Sequence, residues 1–190
     1  MASRREELTR IAARLFAERG YQGTSLADLA EALGVQKASL YHHIASKEDL
    51  LWDVAREGAA AFHAALDGVP PELPATERIR LALRAHLAVV AEQLDVATVF
   101  VREWRFLGGE RREHFVAERR RYEERIRELF RDGVESSELR TDLDVATAAL
   151  LFLSAANWAY TWLRPGIGTD DLADRLYAVL LDGMRGYATP

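Results

Sequence analysis

Apolar residues recur along this chain with helical spacing almost from its start. Leu8, Ile11, Ala12, Leu15 and Phe16 fall at i, i+3, i+4, i+7 and i+8, the pattern of a helix that buries one face. Gly20 is placed to stop that helix. After a short linker containing Gly23, Thr24 and Ser25 are N-cap candidates, and Asp28 stands three residues past Ser25 in a capping-box position. Leu26, Leu29, Ala30 and Leu33 predict a second, short helix ended by Gly34. A third helix is expected over about 36–44. Ser46 then caps a fourth, with Asp49 at its third position, running to about residue 65.

The segment GVPPELP at 68–74 is the clearest linker. Beyond it the pattern predicts helices near 75–93 and 95–107, a Gly108-Gly109 stop, a long charged helix over 110–132, and Gly133 as another stop. Asp142 or Asp144 opens an apolar helix, RPGIG at 164–168 ends it, and a last helix covers 170–186. No useful stretch alternates with period two and no repeat is present, so the fold class is all-α with about nine helices.

Residues 145–163 carry no charge and have the length of a bilayer span. Thr147, Ser154, Asn157 and Thr161, among many alanines, suit instead a helix buried against its own subunit on one side and a partner subunit on the other. No membrane association is therefore expected. The opening MASRREELTR lacks the apolar run of a signal peptide, which makes a cytoplasmic address the expectation.

Cysteine is absent, which excludes disulfides, thiolate nucleophiles and thiolate metal sites. The formal net charge of -5 hides an asymmetry: residues 1–50 hold seven basic and seven acidic side chains, so the whole excess lies in 51–190. A neutral front can bind a polyphosphate only by placing charge locally. The two lysines of the chain, Lys37 and Lys47, both fall inside GVQKASLYHHIASKEDL at 34–50.

On a helical wheel of about 100° per residue, Leu40 and Ile44 share one face of the third helix, while Ala38 and His42 lie opposite with Ser39 and Tyr41 on the flanks. A small polar face over an apolar one suits a helix that enters the major groove, because close approach needs small leading residues. Ala38 supplies that approach, Lys37 reaches a base edge or a phosphate, and Ser39, Tyr41 and His42 offer hydrogen bonds or methyl contacts. Lys47 sits in the first turn of the next helix, where free backbone N–H groups favour a phosphate oxygen. His43, near the apolar face, reads as a packed histidine or one that reaches a phosphate from the edge.

The run ARLFAERGYQGTSLADLAEALGVQKASLYHHIASKEDLL strongly resembles the N-terminal helix–turn–helix of TetR/AcrR-type transcriptional repressors. Phe16, Gly20, Gly23, Thr24-Ser25, Leu29-Ala30, Leu33-Gly34-Val35, Ser39-Leu40-Tyr41 and Lys47 carry the resemblance. It implies a DNA-binding domain over 1–50, a connecting fourth helix over 47–65, and a ligand-binding and dimerisation domain over 51–190. DNA-contact roles fall to Thr24, Ser25, Lys37, Ala38, Ser39, Tyr41, His42 and Lys47. The implied partners are double-stranded operator DNA, a small-molecule effector that releases it, and a second copy of the chain paired through helices 143–163 and 170–186.

In the helix near 95–107, Val96, Phe100, Trp104 and Leu107 form one face with Glu103 at its edge. In the long charged helix Phe115, Tyr122, Ile126 and Phe130 form the inner face, and Arg119 lies close to its centre. A guanidinium there needs a carboxylate or an anionic ligand. Glu103 is the nearest carboxylate by helix phase. Two readings remain open: a structural ion pair or snorkelling stem, or an anchor for a ligand carboxylate, thioester or phosphate whose apolar body is walled by Phe100, Trp104, Phe115, Tyr122 and Trp158, with Asn157 touching it. REWRFLGGERREHF, RRRYEERIRELF and NWAYTWLRPG also resemble a branch of TetR-like regulators of fatty-acid, aromatic-acid and steroid breakdown whose members respond to acyl-CoA thioesters. The resemblance makes a long or bulky acyl-CoA the expected effector; a hydrophobic drug, or a helical adaptor without DNA, are the alternatives.

Enzyme signatures are missing. No histidine follows a glutamate by three, there is no H-E-x-x-H and no phosphate-binding glycine loop, and GIGTDD at 166–171 lacks both the last glycine and a preceding strand of a dinucleotide fingerprint. His63, His86 and His114 are isolated along helices, so no metal and no cofactor are expected. The arginines of RRR at 119–121 are interleaved with Glu118, Glu123, Glu124 and Glu128, as on a solvated helix laced with ion pairs.

Overall fold

The computed structural model describes residues 3–163, 168–182 and 184. Among these the chain forms nine α-helices and two short 3-10 turns and contains no strand. It divides into two compact units, the first made of Met1–Ala60 with Gln93–Glu118, the second of Ala61–Glu92 with Arg119–Pro190.

In the first unit α1 (Arg4–Arg19) is capped by Ser3 and Glu6 in a reciprocal box and buries Leu8, Ala12, Leu15 and Phe16, the face its periodicity predicts. Gly20 ends it at φ 78°, a conformation other residues resist. Ser25 and Asp28 cap α2 (Leu26–Leu33), and Gly34 closes it in the left-handed region at φ 72°. The helix expected over 36–44 is shorter: α3 covers Lys37–Leu40, and turns carry the chain on to Ile44, whose N–H still reaches the Leu40 carbonyl at 3.0 Å. Gln36, the residue at its N-cap, makes no side-chain cap hydrogen bond, so little local chemistry supports a longer helix. Helices α4 (Lys47–Asp67) and α7 (Gly109–Glu135) each give their first part to this unit and the rest to the second. Between them in sequence, α6 (Leu94–Arg102) packs on α1. A Cβ at Gly58 of α4 would meet Phe100 at 3.1 Å, which lets α6 lie close. The single helix expected over 95–107 breaks at Glu103 and continues as a 3-10 turn, Trp104–Phe106.

In the second unit α5 (Ala75–Glu92) packs against α8 (Val145–Trp158) and α9 (Thr169–Asp182). Phe62, Leu83, Leu87, Ile126, Phe130 and Phe152 are fully buried, with Phe130 and Phe152 in edge contact at 6.1 Å. Asp174 of α9 pairs with Arg80 and Arg84 of α5, and the Tyr177 hydroxyl donates to the Thr76 carbonyl at 2.7 Å. Gly133 does not stop α7, which continues to Glu135; a Cβ there would stand 2.7 Å from Leu139 Cδ1, so the glycine admits a buried leucine. Asp144 is the residue that caps α8, accepting from the Ala146 and Thr147 N–H groups. The expected RPGIG stop and the end of the last helix lie largely outside the described residues. Among the described residues no helix is long and apolar enough to cross a membrane.

Glu138 closes a gap that local sequence leaves open. The start of α5 follows Pro74, whose side chain carries no acceptor, and Glu138 supplies one from a distance: its carboxylate accepts from Ala75 N and Thr76 N, both at 2.9 Å, and from the Thr76 hydroxyl at 2.7 Å. The Thr76 N–H bond, joined by those from Ala75, the Thr76 hydroxyl and Ser136, holds its pKa at about 2 against an ordinary 4.5. The stabilisation is therefore complete above about pH 4.5 and is lost as pH falls toward 2. We expect Glu138→Gln to lower unfolding free energy at pH 7 by on the order of 1 kcal/mol. Denaturant melts at several pH values should show the gap between variant and parent narrowing below pH 4.5.

Candidate nucleic-acid interface and effector-site residues

The short α3 presents the surface its wheel predicts. Leu40 and Ile44 are buried beneath it, while Lys37, Ala38 and His42 are exposed, Ser39 is half-buried and Tyr41 keeps 55% of its surface in solvent. Leaving a large aromatic this exposed costs apolar burial, which is the usual mark of a surface kept for a partner. Arg5 steadies the turn after α3 by donating to the His43 carbonyl at 3.1 Å and to Asp53 at 2.9 Å. His43 itself is half-buried.

Two of the expected contact residues turn out to be committed inside the protein. Thr24 is 1% exposed, and its hydroxyl lies 2.9 Å from the Gly20 carbonyl and 3.2 Å from that of Leu15, so it fastens the α1–α2 turn and does not face outward. Ser25 is exposed, but its hydroxyl already serves both sides of the α2 cap, donating to Asp28 at 2.6 Å and accepting from the Asp28 N–H.

Lys47 needs the larger revision. Its ammonium donates to the Tyr21 and Thr24 carbonyls, both at 2.7 Å, and lies 4.2 Å above the Tyr21 ring. Burial lowers its pKa, with Asp28 opposing. Two of its three donors thus bind the turn that leads into α2, and one remains for a phosphate. Nor is the first turn of α4 open: Ser46 and Asp49 form its reciprocal cap, and Asp49 also takes Arg111 at 2.6 Å. Burial would raise the Asp49 pKa, but Arg111 and the Ser46 and Ala45 N–H groups outweigh it and hold it low.

Tyr21, which the sequence pattern leaves as a plain loop residue, is the centre of this arrangement. Its N–H donates to Glu103 at 2.9 Å, its carbonyl receives Lys47, and its ring meets Phe16 edge-on at 5.3 Å and stacks on Phe106 at 5.5 Å. Glu103, expected as the partner of Arg119 or as a ligand contact, is instead buried and spent on Tyr21, with Arg102 at 3.8 Å. The break between α6 and the 3-10 turn is what points its carboxylate there. Glu48 closes the same corner by accepting from Gly108 N at 3.0 Å.

The remaining effector-site candidates separate between the units. Phe100, Trp104 and Phe115 belong to the first, where Phe115 meets Phe100 at 5.0 Å and stacks on Trp104 at 5.8 Å. Arg119, Tyr122, Asn157 and Trp158 belong to the second. Arg119 is half-buried; burial lowers its pKa and Glu123 opposes. Tyr122 is buried, with its hydroxyl 3.0 Å from His86 Nδ1. Asn157 is half-buried, and Trp158, expected to wall a pocket, is 62% exposed on the outer side of α8. His86, one more isolated helical histidine by sequence, is singled out only by its burial beside Tyr122. No group of three or more metal-ligating side chains comes together among the described residues.

Residues 8–54 match the model for bacterial regulatory proteins of the tetR family, and residues 72–184 match that for the tetracyclin repressor-like C-terminal domain. The HTH-type transcriptional repressor KstR2 of Rhodococcus jostii (strain RHA1) is 33% identical over 96% of this chain and 92% of its own length. The TetR family transcriptional regulator PfmR from Thermus thermophilus superposes with a TM-score of 0.88 at 33% identity, covering both chains completely. AibR in complex with isovaleryl coenzyme A and operator DNA superposes at 0.85 with 29% identity over 93% of this chain and 97% of its own.

The two lysines should behave differently when removed. Lys37→Ala is expected to leave the melting temperature unchanged and to flatten the slope of log K against log salt by about one unit. Lys47→Ala strips two carbonyls of their donor and should cost about 1–3 kcal/mol of stability. Its DNA affinity should fall through misplacement of α2 and α3, with less change in salt slope than Lys37→Ala. Paired melting curves and salt titrations of DNA binding check both.

Proposed function

The chain belongs to the tetR family of bacterial regulatory proteins and is a transcriptional regulator, not an enzyme; from that premise we propose that it is a cytoplasmic, dimeric repressor released from a palindromic operator by an acyl-CoA thioester. The observation that carries the DNA half is the α3 surface, where Lys37, Ala38, Tyr41 and His42 stand exposed over a fully buried Leu40. In this reading residues 1–50 are the DNA-binding domain and 51–190 hold effector and partner. Lys37 meets a phosphate beside the base edges, Ala38 allows the close approach, Ser39, Tyr41 and His42 meet phosphates or thymine methyls, and Ser25 lies alongside at the start of α2. Lys47 reaches the backbone with its one uncommitted donor while holding the turn in place.

Pairing is supported by the surplus apolar surface of the second unit. Leu150, Leu151 and Trp158 are 61%, 50% and 62% exposed, and together with exposed Thr147 and Ser154 they form one stripe along α8. Val179 of α9 is also exposed. An apolar stripe on the outside of an otherwise charged protein marks a contact surface, and two copies of α8 and α9 would bury it as a four-helix bundle. Such a dimer sets two α3 helices about one turn of DNA apart or a little more.

The effector reading draws on AibR, whose structure holds isovaleryl coenzyme A and operator DNA together. Arg119, half-buried on α7, is the cation assigned to a thioester or phosphate group, with the buried aromatic Tyr122 on the same helix. An effector that moves α4 or α6 acts on the DNA-reading helices through Tyr21, since Lys47 of α4 and Glu103 at the end of α6 both hold it. Coupling is reciprocal, so operator DNA weakens effector binding by the factor with which effector weakens DNA binding.

Three measurements follow. Operator fragments selected from genomic DNA should be palindromic and bind with a steep salt dependence; a slope near zero would leave no phosphate contacts and end the repressor reading. Calorimetry with a panel of acyl-CoAs and the matching free acids should find at least one thioester that binds and releases the operator. Leu151→Glu should shift the sedimenting species to monomer and lower operator affinity by about tenfold or more.

A further inference from the structure

His86 is a polar group buried without full use of its polarity. It lies on α5 at 2% exposure, its Nδ1 is 3.0 Å from the Tyr122 hydroxyl, and its Nε2 is sealed from solvent with no hydrogen-bond partner among the described residues. The surroundings are aromatic: the Phe62 ring centre is 4.5 Å from that of His86, and Phe62 and His63 meet Tyr122 at 6.0 and 5.5 Å. All of these residues belong to the second unit. Burial pushes the His86 pKa down to about 3, so the ring is neutral at any physiological pH.

The proton on that ring can be placed by counting donors and acceptors. A neutral imidazole has one N–H and one lone pair. If Nδ1 carried the proton and gave it to the tyrosine oxygen, the Tyr122 hydroxyl proton would need another acceptor, and Nε2 would be an orphaned lone pair as well. If Tyr122 donates to Nδ1, the hydroxyl is satisfied and a single orphan is left, an Nε2–H donor. Burial also raises the Tyr122 pKa, with Arg125 opposing, so the phenol keeps its proton. The arrangement with fewer unsatisfied groups is the one to expect of a buried pair.

An isolated donor in an aromatic box asks for an acceptor that carries no charge, because a carboxylate would have to be stripped of water to reach it. We propose that His86 donates through Nε2 to an uncharged oxygen, a ketone or hydroxyl, on the acyl body of the effector, so that the protein responds to oxygenated acyl groups in preference to plain hydrocarbon ones. This rests on the reading of the second unit as the effector-binding part. Tyr122 is then a positioning residue, fixing the tautomer that makes His86 a donor. A site built around a donor penalises a ligand that leaves it unpaired far more than a ligand of slightly wrong size.

The test compares wild type, His86→Phe, and His86→Phe combined with Tyr122→Phe, using straight-chain and cyclic acyl-CoAs alongside their keto and hydroxy counterparts. In the wild type, calorimetry should rank an oxygenated probe above its hydrocarbon parent by roughly 10- to 100-fold. His86→Phe should erase that preference, and the double variant should melt no lower than the wild type. Equal ranking in wild type and His86→Phe, or a double variant that melts lower with the preference intact, overturns the proposal and makes the pair structural. If the wild type binds no thioester, the acyl-CoA reading fails separately. Cyclohexanone and cyclohexanol, titrated into protein carrying nitrogen-15 histidine, then decide: a shift of the His86 Nε2 resonance sustains the proposal, and its absence ends it.

Discussion

A lysine ammonium placed between two backbone carbonyls holds the DNA-reading end of this protein together. Lys47 binds the carbonyls of Tyr21 and Thr24 and covers the Tyr21 ring, while Glu103 takes the Tyr21 N–H from the other side. The turn between α1 and α2 lies outside both helices, whose hydrogen bonds leave the Tyr21 N–H and the Tyr21 and Thr24 carbonyls to other partners. Its polar groups are instead satisfied by side chains from α4 and α6, two helices distant in sequence. The position of α2 and α3 therefore depends on where α4 and α6 lie, which is the dependence that a regulated DNA-binding domain requires. Thr24 completes the turn from inside, trading an outward contact for two carbonyls.

The same economy governs charge. Residues 1–50 carry no net charge, and several of their cations are held by nearby acids, as Arg4 is by Glu7 and Arg5 by Asp53. Lys37 stands out on the exposed face of α3, where a single uncommitted donor counts most. In the second unit the surplus runs the other way. Its α8 carries no charge, yet only Ala148, Ala149, Phe152 and Ala156 are buried within the chain, and Leu150, Leu151 and Trp158 opposite are exposed.

Local chemistry made the helix boundaries legible. Ser25 with Asp28, Ser46 with Asp49, Gly20, Gly34 and Asp144 all do what their positions foretell, because caps and left-handed stops are decided within four residues of chain. The wheel of α3 is right for the same reason. Gly133 misled because a glycine required for the close approach of Leu139 is indistinguishable in sequence from one required to end a helix. Helix phase gave no sign that Glu103 accepts from the Tyr21 N–H, because phase assumes an unbroken helix, and α6 gives way to a 3-10 turn at that residue.

What the sequence determined by itself is thus the set of helices, their buried faces, the family, and the outward residues of α3: properties set by spacing, caps and the size of side chains. Only the tertiary structure decided which donors meet which acceptors across long separations. It sent Thr24 inward, spent Lys47 and Glu103 on Tyr21, joined Glu138 to the start of α5, and set His86 against Tyr122 with one nitrogen unanswered. The reason is physical: hydrogen bonding is short-ranged and directional, so the partner of a polar side chain is fixed by where the packed helices bring the two groups, and no periodicity in the chain records it.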